Sequence, residues 1–142
     1  MKHTTELRLK RISTELLHFL GIKNSEVQIF LLTNKEMLKV ARRAGALEHI
    51  HKTKIGQKIS TEKQVNILSF PGDKNFPNEN GRRSLGEVFI NYDWCEGKVE
   101  VLTYLLIHGI LHLAGYQHEK KRDIIEMEKL EKKLWRHVLL SV

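Results

Sequence analysis

The stretch that most constrains this chain is H-G-I-L-H-L-A-G-Y-Q-H, residues 108–118. If its first half is helical, His108 and His112 project from one face, where two imidazoles can bind one metal ion. Gly115 stands where a left-handed residue would end the helix and return the chain, which would bring His118 to the same point. Three histidines leave one position of a tetrahedral zinc ion open, as catalytic zinc requires. The spacing therefore predicts one zinc ion per chain, bound by these three histidines.

A buried helix that happens to carry histidines is the alternative interpretation of this stretch. The flanking residues are core material: Leu105, Leu106, Ile107, Ile110, Leu111 and Leu113. A core helix explains these apolar residues but leaves the shared spacing of three histidines and a glycine to chance. The metal site is therefore the favoured interpretation.

Length and cysteine usage limit the organisation of the chain. At 142 residues it is predicted to form one domain over residues 1–142. The single cysteine, Cys95, cannot form an intramolecular disulfide, and no charged-then-apolar leader opens the sequence. The longest apolar stretch, Val99 to Gly115, is shorter than the ~20 residues needed to cross a bilayer. We therefore expect a cytoplasmic protein without a membrane partner.

The chain is basic, with a formal net charge of +7, which favours a polyanionic partner. The excess of positive charge is concentrated between Lys35 and Lys63, a stretch with eight lysines and arginines and three glutamates. A solvated surface is the alternative explanation of such a run. Beside a hydrolytic metal centre, however, a basic tract favours a phosphodiester substrate over a peptide.

Periodicity predicts an α+β (mixed α/β) fold, with a small mixed sheet of three or four strands, four or five helices and the metal-bearing helix in the core. The predicted helices are Thr4 or Thr5 to Leu20, Glu36 to Ala46, Gly97 to Ala114 and Glu119 to Leu139. The predicted strands are Val27 to Leu32, Val65 to Phe70 and Leu85 to Asn91.

Three further motifs join the histidine run in a family resemblance. These are N-I-L-S-F-P from Asn66, L-G-E-V-F-I from Leu85, and Met127 with Glu131. Together they resemble the YbeY family of bacterial rRNA maturation factors, which are zinc-dependent endoribonucleases. The resemblance implies a hydrolase that cleaves single-stranded ribosomal RNA near the 3′ end of the small-subunit rRNA and acts in ribosome quality control. Ribosomal RNA and small-subunit ribosomal proteins are the implied partners, and the oligomeric state stays open.

The chain departs from the family pattern at three places. Gln117 replaces the usual Asp before the third histidine, and Glu87 replaces an Asp after the Leu-Gly pair. The family's functional arginine, found in a Tyr-Arg pair, has no direct counterpart. Counting along the sequence from either side leaves Arg43 and Lys58 as candidates for its role.

The predicted chemistry needs a cation and contacts to RNA. Arg43 or Lys58 would neutralise the charge that develops on the phosphoryl group in the transition state. Arg42, Asn66 and Ser69 are the predicted substrate-binding residues. A strand end beside a turn is a sufficient structural explanation for Asn66 and Ser69.

Two other functions compete with this prediction. Metallopeptidases with the long zinc signature H-E-x-x-H-x-x-G-x-x-H share the spacing, and Met127 could be mistaken for the methionine that follows it. Their second motif residue is a glutamate that acts as general base, whereas this chain has Gly109 there. The third interpretation is a catalytically silent, ribosome-associated RNA-binding protein that keeps a structural metal.

Overall fold

The computed structural model describes residues 2–45, 65–72, 81–116 and 120–141, which form four helices and three strands. In chain order these are α1 (Lys2–Phe19), β1 (Ser25–Leu32), α2 (Asn34–Arg43), β2 (Ile67–Pro71), β3 (Arg83–Asn91), α3 (Val99–Leu113) and α4 (Lys121–Ser141). The predicted α+β class is confirmed. Each predicted element is present, with its ends displaced by no more than three residues.

The three strands form one mixed sheet in the order β1-β3-β2. The central strand β3 runs parallel to β1 and antiparallel to β2, and Val88 of β3 aligns with Ile29 on one side and Ser69 on the other. A register shift on the β1 side leaves Leu85 as an extra residue before Gly86. The bulge lies next to the end of α3, because a Cβ atom on Gly86 would lie 2.7 Å from Leu113 Cδ2.

The helices divide between the two faces of the sheet because successive strand residues point to opposite sides. Val88 and Ile90 join the main core, to which α1, α3 and α4 contribute. Phe89, between them, packs instead with Met37 and Ala41 of α2. Helix α2 therefore covers the face of the sheet opposite to α3.

Helix α3 is mostly apolar and largely buried, although Glu100 and Tyr104 are exposed. Its fully buried side chains are Leu102, Leu105, Leu106, Ile107, Ile110 and Leu111. The predicted position of this helix in the core is confirmed. No helix in the described ranges is long and apolar enough to cross a membrane.

Local signals in the sequence set where the helices begin and end. Thr33 and Glu36 form a capping box at the start of α2, with Glu36 N donating to Thr33 Oγ1 at 3.2 Å and Thr33 N donating to Glu36 Oε1 at 3.0 Å. At the end of α3, Gly115 has a φ of 103°, and its N–H donates to the carbonyl of His112 at 3.0 Å. The predicted left-handed glycine is confirmed.

Candidate metal centre

Two histidines of α3 lie with their rings together. His108 and His112 are one helical turn apart, and their Nε2 atoms are 3.0 Å from each other. The ring centroids are 4.6 Å apart, with an angle of 75° between the ring planes. The structure therefore brings the first two predicted ligands to one point at their Nε2 atoms.

The other nitrogen of each ring faces an oxygen. His112 Nδ1 lies 3.1 Å from the main-chain carbonyl of Tyr116, and His108 Nδ1 lies 3.4 Å from Glu131 Oε2. A carbonyl oxygen only accepts, so His112 Nδ1 carries a proton and its Nε2 holds a lone pair when the ring is neutral. The carboxylate of Glu131 favours the same tautomer at His108.

This arrangement tests whether the side chains present fit a zinc ion. Two Nε2 lone pairs 3.0 Å apart repel unless a proton or a cation lies between them. Metal-binding histidines have this pattern, because the nitrogen that does not coordinate donates to a carboxylate or a carbonyl. The residues therefore fit the predicted zinc.

The third predicted ligand, His118, lies outside the described residues, as does Gln117 before it. Within the part of the chain that is described, no cluster of three or more His, Cys, Asp or Glu side chains is placed to hold a metal ion. The metal site thus remains a prediction, for which His108 and His112 supply the geometry.

Gly109, between the two histidines, faces the sheet. A Cβ atom there would lie 3.0 Å from Val88 Cγ1 and 3.1 Å from both Ile67 Cδ1 and Ser69 Oγ. Such distances are tighter than ordinary van der Waals contact. The glycine therefore allows α3 to pack directly on β2 and β3, and a side chain at this motif position would point into the sheet.

The two predicted substrate contacts on the β2 segment differ in environment. Ser69 is half-buried, and its hydroxyl lies against Gly109, beside the histidine-bearing face of α3. Asn66 is 3% exposed, and its carbonyl accepts from the N–H of Asn91 at 2.9 Å. Its buried Nδ2 has no hydrogen-bond partner among the described residues. The roles of both residues in binding RNA stay predictions.

The two predicted arginines lie on the face of the sheet opposite to the histidines. Arg42 and Arg43 are exposed at the C-terminal end of α2, which covers the face opposite to α3. Lys58 lies outside the described residues. The catalytic role of Arg43 or Lys58, and the binding role of Arg42, stay predictions.

Glu131, which the sequence contributes only to the family resemblance, is a residue of the site that no sequence-based prediction assigned to it. It occupies a buried position on α4, between the core residues Met127 and Leu134, with its side chain 8% exposed. A carboxylate on the apolar side of an amphipathic helix is the signal that could have identified it, because buried charges are normally paired. Its carboxylate, on α4, lies against the ring of His108 on α3.

Tyr104 of α3 lies one turn before His108 and faces the same region of α4. Burial raises the pKa of the Tyr104 hydroxyl, and the carboxylates of Glu131 and Glu128 raise it further. The hydroxyl therefore keeps its proton at neutral pH and acts as a donor beside two carboxylates.

Comparison with known proteins identifies a family that matches nearly the whole chain. A family model described as "Endoribonuclease YbeY" matches residues 1–138. Proteins named "Endoribonuclease YbeY" include one from Bartonella henselae, 29% identical over 140 residues, and one from a Sulfurihydrogenibium species, 30% identical over 130 residues. The matches cover 92% and 86% of this chain and 77% and 75% of those relatives. This chain belongs to the endoribonuclease YbeY family, as the motifs predict.

Similarity to other relatives is confined to part of each chain. A protein of the same name from a Chelativorans species is 36% identical over 81 residues, which are 51% of this chain and 50% of the relative. The matched region is therefore shorter and more similar than in the two longer matches.

Proposed function

We propose that this chain is a zinc-dependent endoribonuclease that cleaves single-stranded RNA during ribosomal RNA maturation. The observation that carries the proposal is the pair of imidazoles whose Nε2 atoms meet at 3.0 Å while each Nδ1 faces an oxygen. The net charge of +7 supports a polyanionic substrate, and the names of the relatives support RNA as that substrate. Within this proposal, the protein acts in the cytoplasm at the 3′ end of the small-subunit rRNA and in ribosome quality control.

Each part of the proposed site has a distinct task. His108, His112 and His118 would hold the zinc ion, which when bound activates water and polarises a phosphoryl oxygen. Glu131 and the carbonyl of Tyr116 hold the imidazoles in the tautomer that leaves Nε2 as the ligand atom.

Cations and polar groups complete the proposal. Arg43 or Lys58 would neutralise the charge that develops on the phosphoryl oxygens, and Arg42, Asn66 and Ser69 would bind the RNA backbone. For this, the α2 arginines must reach the substrate from the other face of the sheet, and Asn66 must act from a buried position. Ser69 has the clearest structural support, because its hydroxyl lies against the helix that carries the histidines.

A peptidase mechanism is disfavoured by the position of Gly109. The general base of that class is a glutamate at this motif position. In this fold the position points at Val88 and Ile67, so it offers neither a carboxylate nor space for one. The sheet contact therefore argues for the nuclease over the peptidase.

Metal analysis and RNA cleavage test the proposal on the same preparations. The purified protein should contain about one zinc per chain, and His112→Ala should lose most of it, whereas His18→Ala, at an exposed position of α1, should keep it. Cleavage of single-stranded RNA should stop with His108→Ala, and in the unsubstituted protein it should stop with chelator and return with zinc. Full zinc retention by His112→Ala, or full cleavage by metal-free His108→Ala, would contradict the proposal.

The same assays separate the competing functions. RNA binding by zinc-loaded protein without any cleavage identifies the silent ribosome-associated protein. Metal-dependent hydrolysis of casein identifies the peptidase. Glu131→Gln should lower zinc affinity about 10- to 100-fold through its contact with His108. The matched Glu126→Gln, on an exposed face of α4, should leave zinc affinity unchanged.

A further inference from the structure

A groove between α3 and α4 shares Glu131 with the candidate metal centre. Its lining residues are Tyr104, Glu128, Glu131, Lys132 and Trp135. Tyr104 lies four residues before His108 on α3, which is about 6 Å along the helix axis. Glu131 belongs to both places, because it lines the groove and contacts His108. The groove is thus within one nucleotide of the proposed zinc ligands.

The chemistry of the lining suits a nucleobase. Tyr104 is 43% exposed and Trp135 is half-buried, so two aromatic rings are accessible for stacking. Glu128, also exposed, supplies a carboxylate, which accepts hydrogen bonds. Lys132 supplies a cation for a phosphate at the rim of the groove.

A carboxylate selects among the four bases of RNA. Guanine presents two adjacent donors, N1–H and the N2 amino group, which match the two oxygens of one carboxylate. Adenine and cytosine place a ring acceptor beside their amino group, and uracil places its N–H between two carbonyl oxygens. A carboxylate facing the Watson–Crick edge therefore pairs fully with guanine alone.

From this placement we propose that the groove binds a guanine base next to the phosphate that is cleaved, with Tyr104 and Trp135 stacking on it and Glu128 reading its edge. The inference rests on the proposed nuclease function and adds a base preference to it. Glu128 is assigned as the reader because Glu131 is buried against His108. Lys132 contacts the phosphate of the same nucleotide.

Binding to oligonucleotides that resist cleavage tests the groove apart from catalysis. The probes are fluorescein-labelled 2′-O-methyl hexamers of uridine that carry one guanosine, adenosine or inosine, with affinity measured by fluorescence anisotropy. The unsubstituted, zinc-loaded protein should bind the guanosine probe about tenfold more tightly than the adenosine probe. Inosine lacks the N2 amino group and should fall between them.

Matched variants assign the preference to the groove. Glu128→Gln replaces one acceptor by a donor, so the guanosine and adenosine affinities should come within about twofold of each other. Glu126→Gln removes the same charge from an exposed position outside the groove and should keep the tenfold preference. Tyr104→Leu should weaken the binding of all three probes about fivefold or more because the ring is lost.

The outcomes distinguish this inference from the proposed function. Equal affinity for guanosine and adenosine in the unsubstituted protein, or equal loss of preference in Glu128→Gln and Glu126→Gln, would overturn the groove assignment. Cleavage of RNA without base preference would support the proposed nuclease function and contradict the guanine-binding groove. A guanine preference that is lost in Glu128→Gln, in a protein that does not cleave RNA, would support the groove and contradict the proposed nuclease function.

Discussion

Replacing Gly86 with alanine should destabilise this fold far more than the addition of one methyl group suggests. Gly86 lies at the bulge of β3, under the end of α3, with a φ of 151°. A Cβ atom there would lie 2.3 Å from the carbonyl oxygen of Phe70 and 2.7 Å from Leu113 Cδ2. One of these neighbours is backbone of the adjacent strand, so the sheet itself must move.

The expected cost has two parts. A residue with a side chain held in this backbone region costs about 1–3 kcal/mol, and overpacking against fixed neighbours costs about another 1–3 kcal/mol. The free energy of unfolding should therefore fall by about 2–6 kcal/mol, against a total of about 5–15 kcal/mol for a typical domain. Gly21 is the matched control, because its φ is 74° and a Cβ would meet nothing within 4 Å. Gly21→Ala should cost only about 1–2 kcal/mol.

Urea unfolding followed by far-ultraviolet circular dichroism measures both variants. With a slope of about 2 kcal/mol per molar urea, the midpoint should fall by about 1–3 M for Gly86→Ala and by less than about 1 M for Gly21→Ala. Equal losses in the two variants would refute the packing argument, because they would mean that the contacts with Phe70 and Leu113 cost nothing.

Three further predictions follow from the site and its surroundings. Gly109→Glu should lower the urea midpoint and produce no casein hydrolysis, since the new side chain points at Val88; metal-dependent proteolysis by this variant would contradict that. Burial raises the pKa of the Cys95 thiol to about 12 from its ordinary value of 9.0. The contribution of this neutral thiol to the free energy of unfolding is complete below about pH 9 and should be lost as the pH rises toward 12. In Cys95→Ala the urea midpoint should therefore change less between pH 9 and pH 12 than in the unsubstituted protein. An unchanged pH dependence of the midpoint would contradict the raised pKa of Cys95. RNA affinity should fall steeply with salt, and Arg42→Gln with Arg43→Gln should reduce the slope of log affinity against log salt by up to about 2 units; an unchanged slope would place the RNA surface elsewhere.

The sequence predicts the parts of the site that depend on local spacing. His108 and His112 meet because four residues make about one helical turn, and Gly115 ends α3 because only a left-handed residue returns the chain there. Neither result needs knowledge of which elements pack together. The element order and the core position of α3 follow in the same way from apolar periodicity.

The remaining features depend on tertiary packing and could not be predicted locally. Glu131 reaches His108 across 23 residues because α4 packs on α3, and Tyr116 contributes its backbone, which carries no sequence signal. Arg43 lies far from the histidine run in the sequence. In the fold it also lies on the other face of the sheet, which α2 covers. Residue type alone does not show which face an exposed arginine occupies.

The strand order also has a consequence for synthesis on the ribosome. Within the described sheet, β1 and β2 both pair with β3, which follows them in the chain. A nascent chain that has not yet exposed Arg83 to Asn91 therefore holds two strands whose partner is still missing. The sheet can close only after this last strand enters between the first two, so the early chain carries open backbone edges that invite association with other chains. Chains released by stalled ribosomes before residue 91 should accordingly yield aggregation-prone fragments.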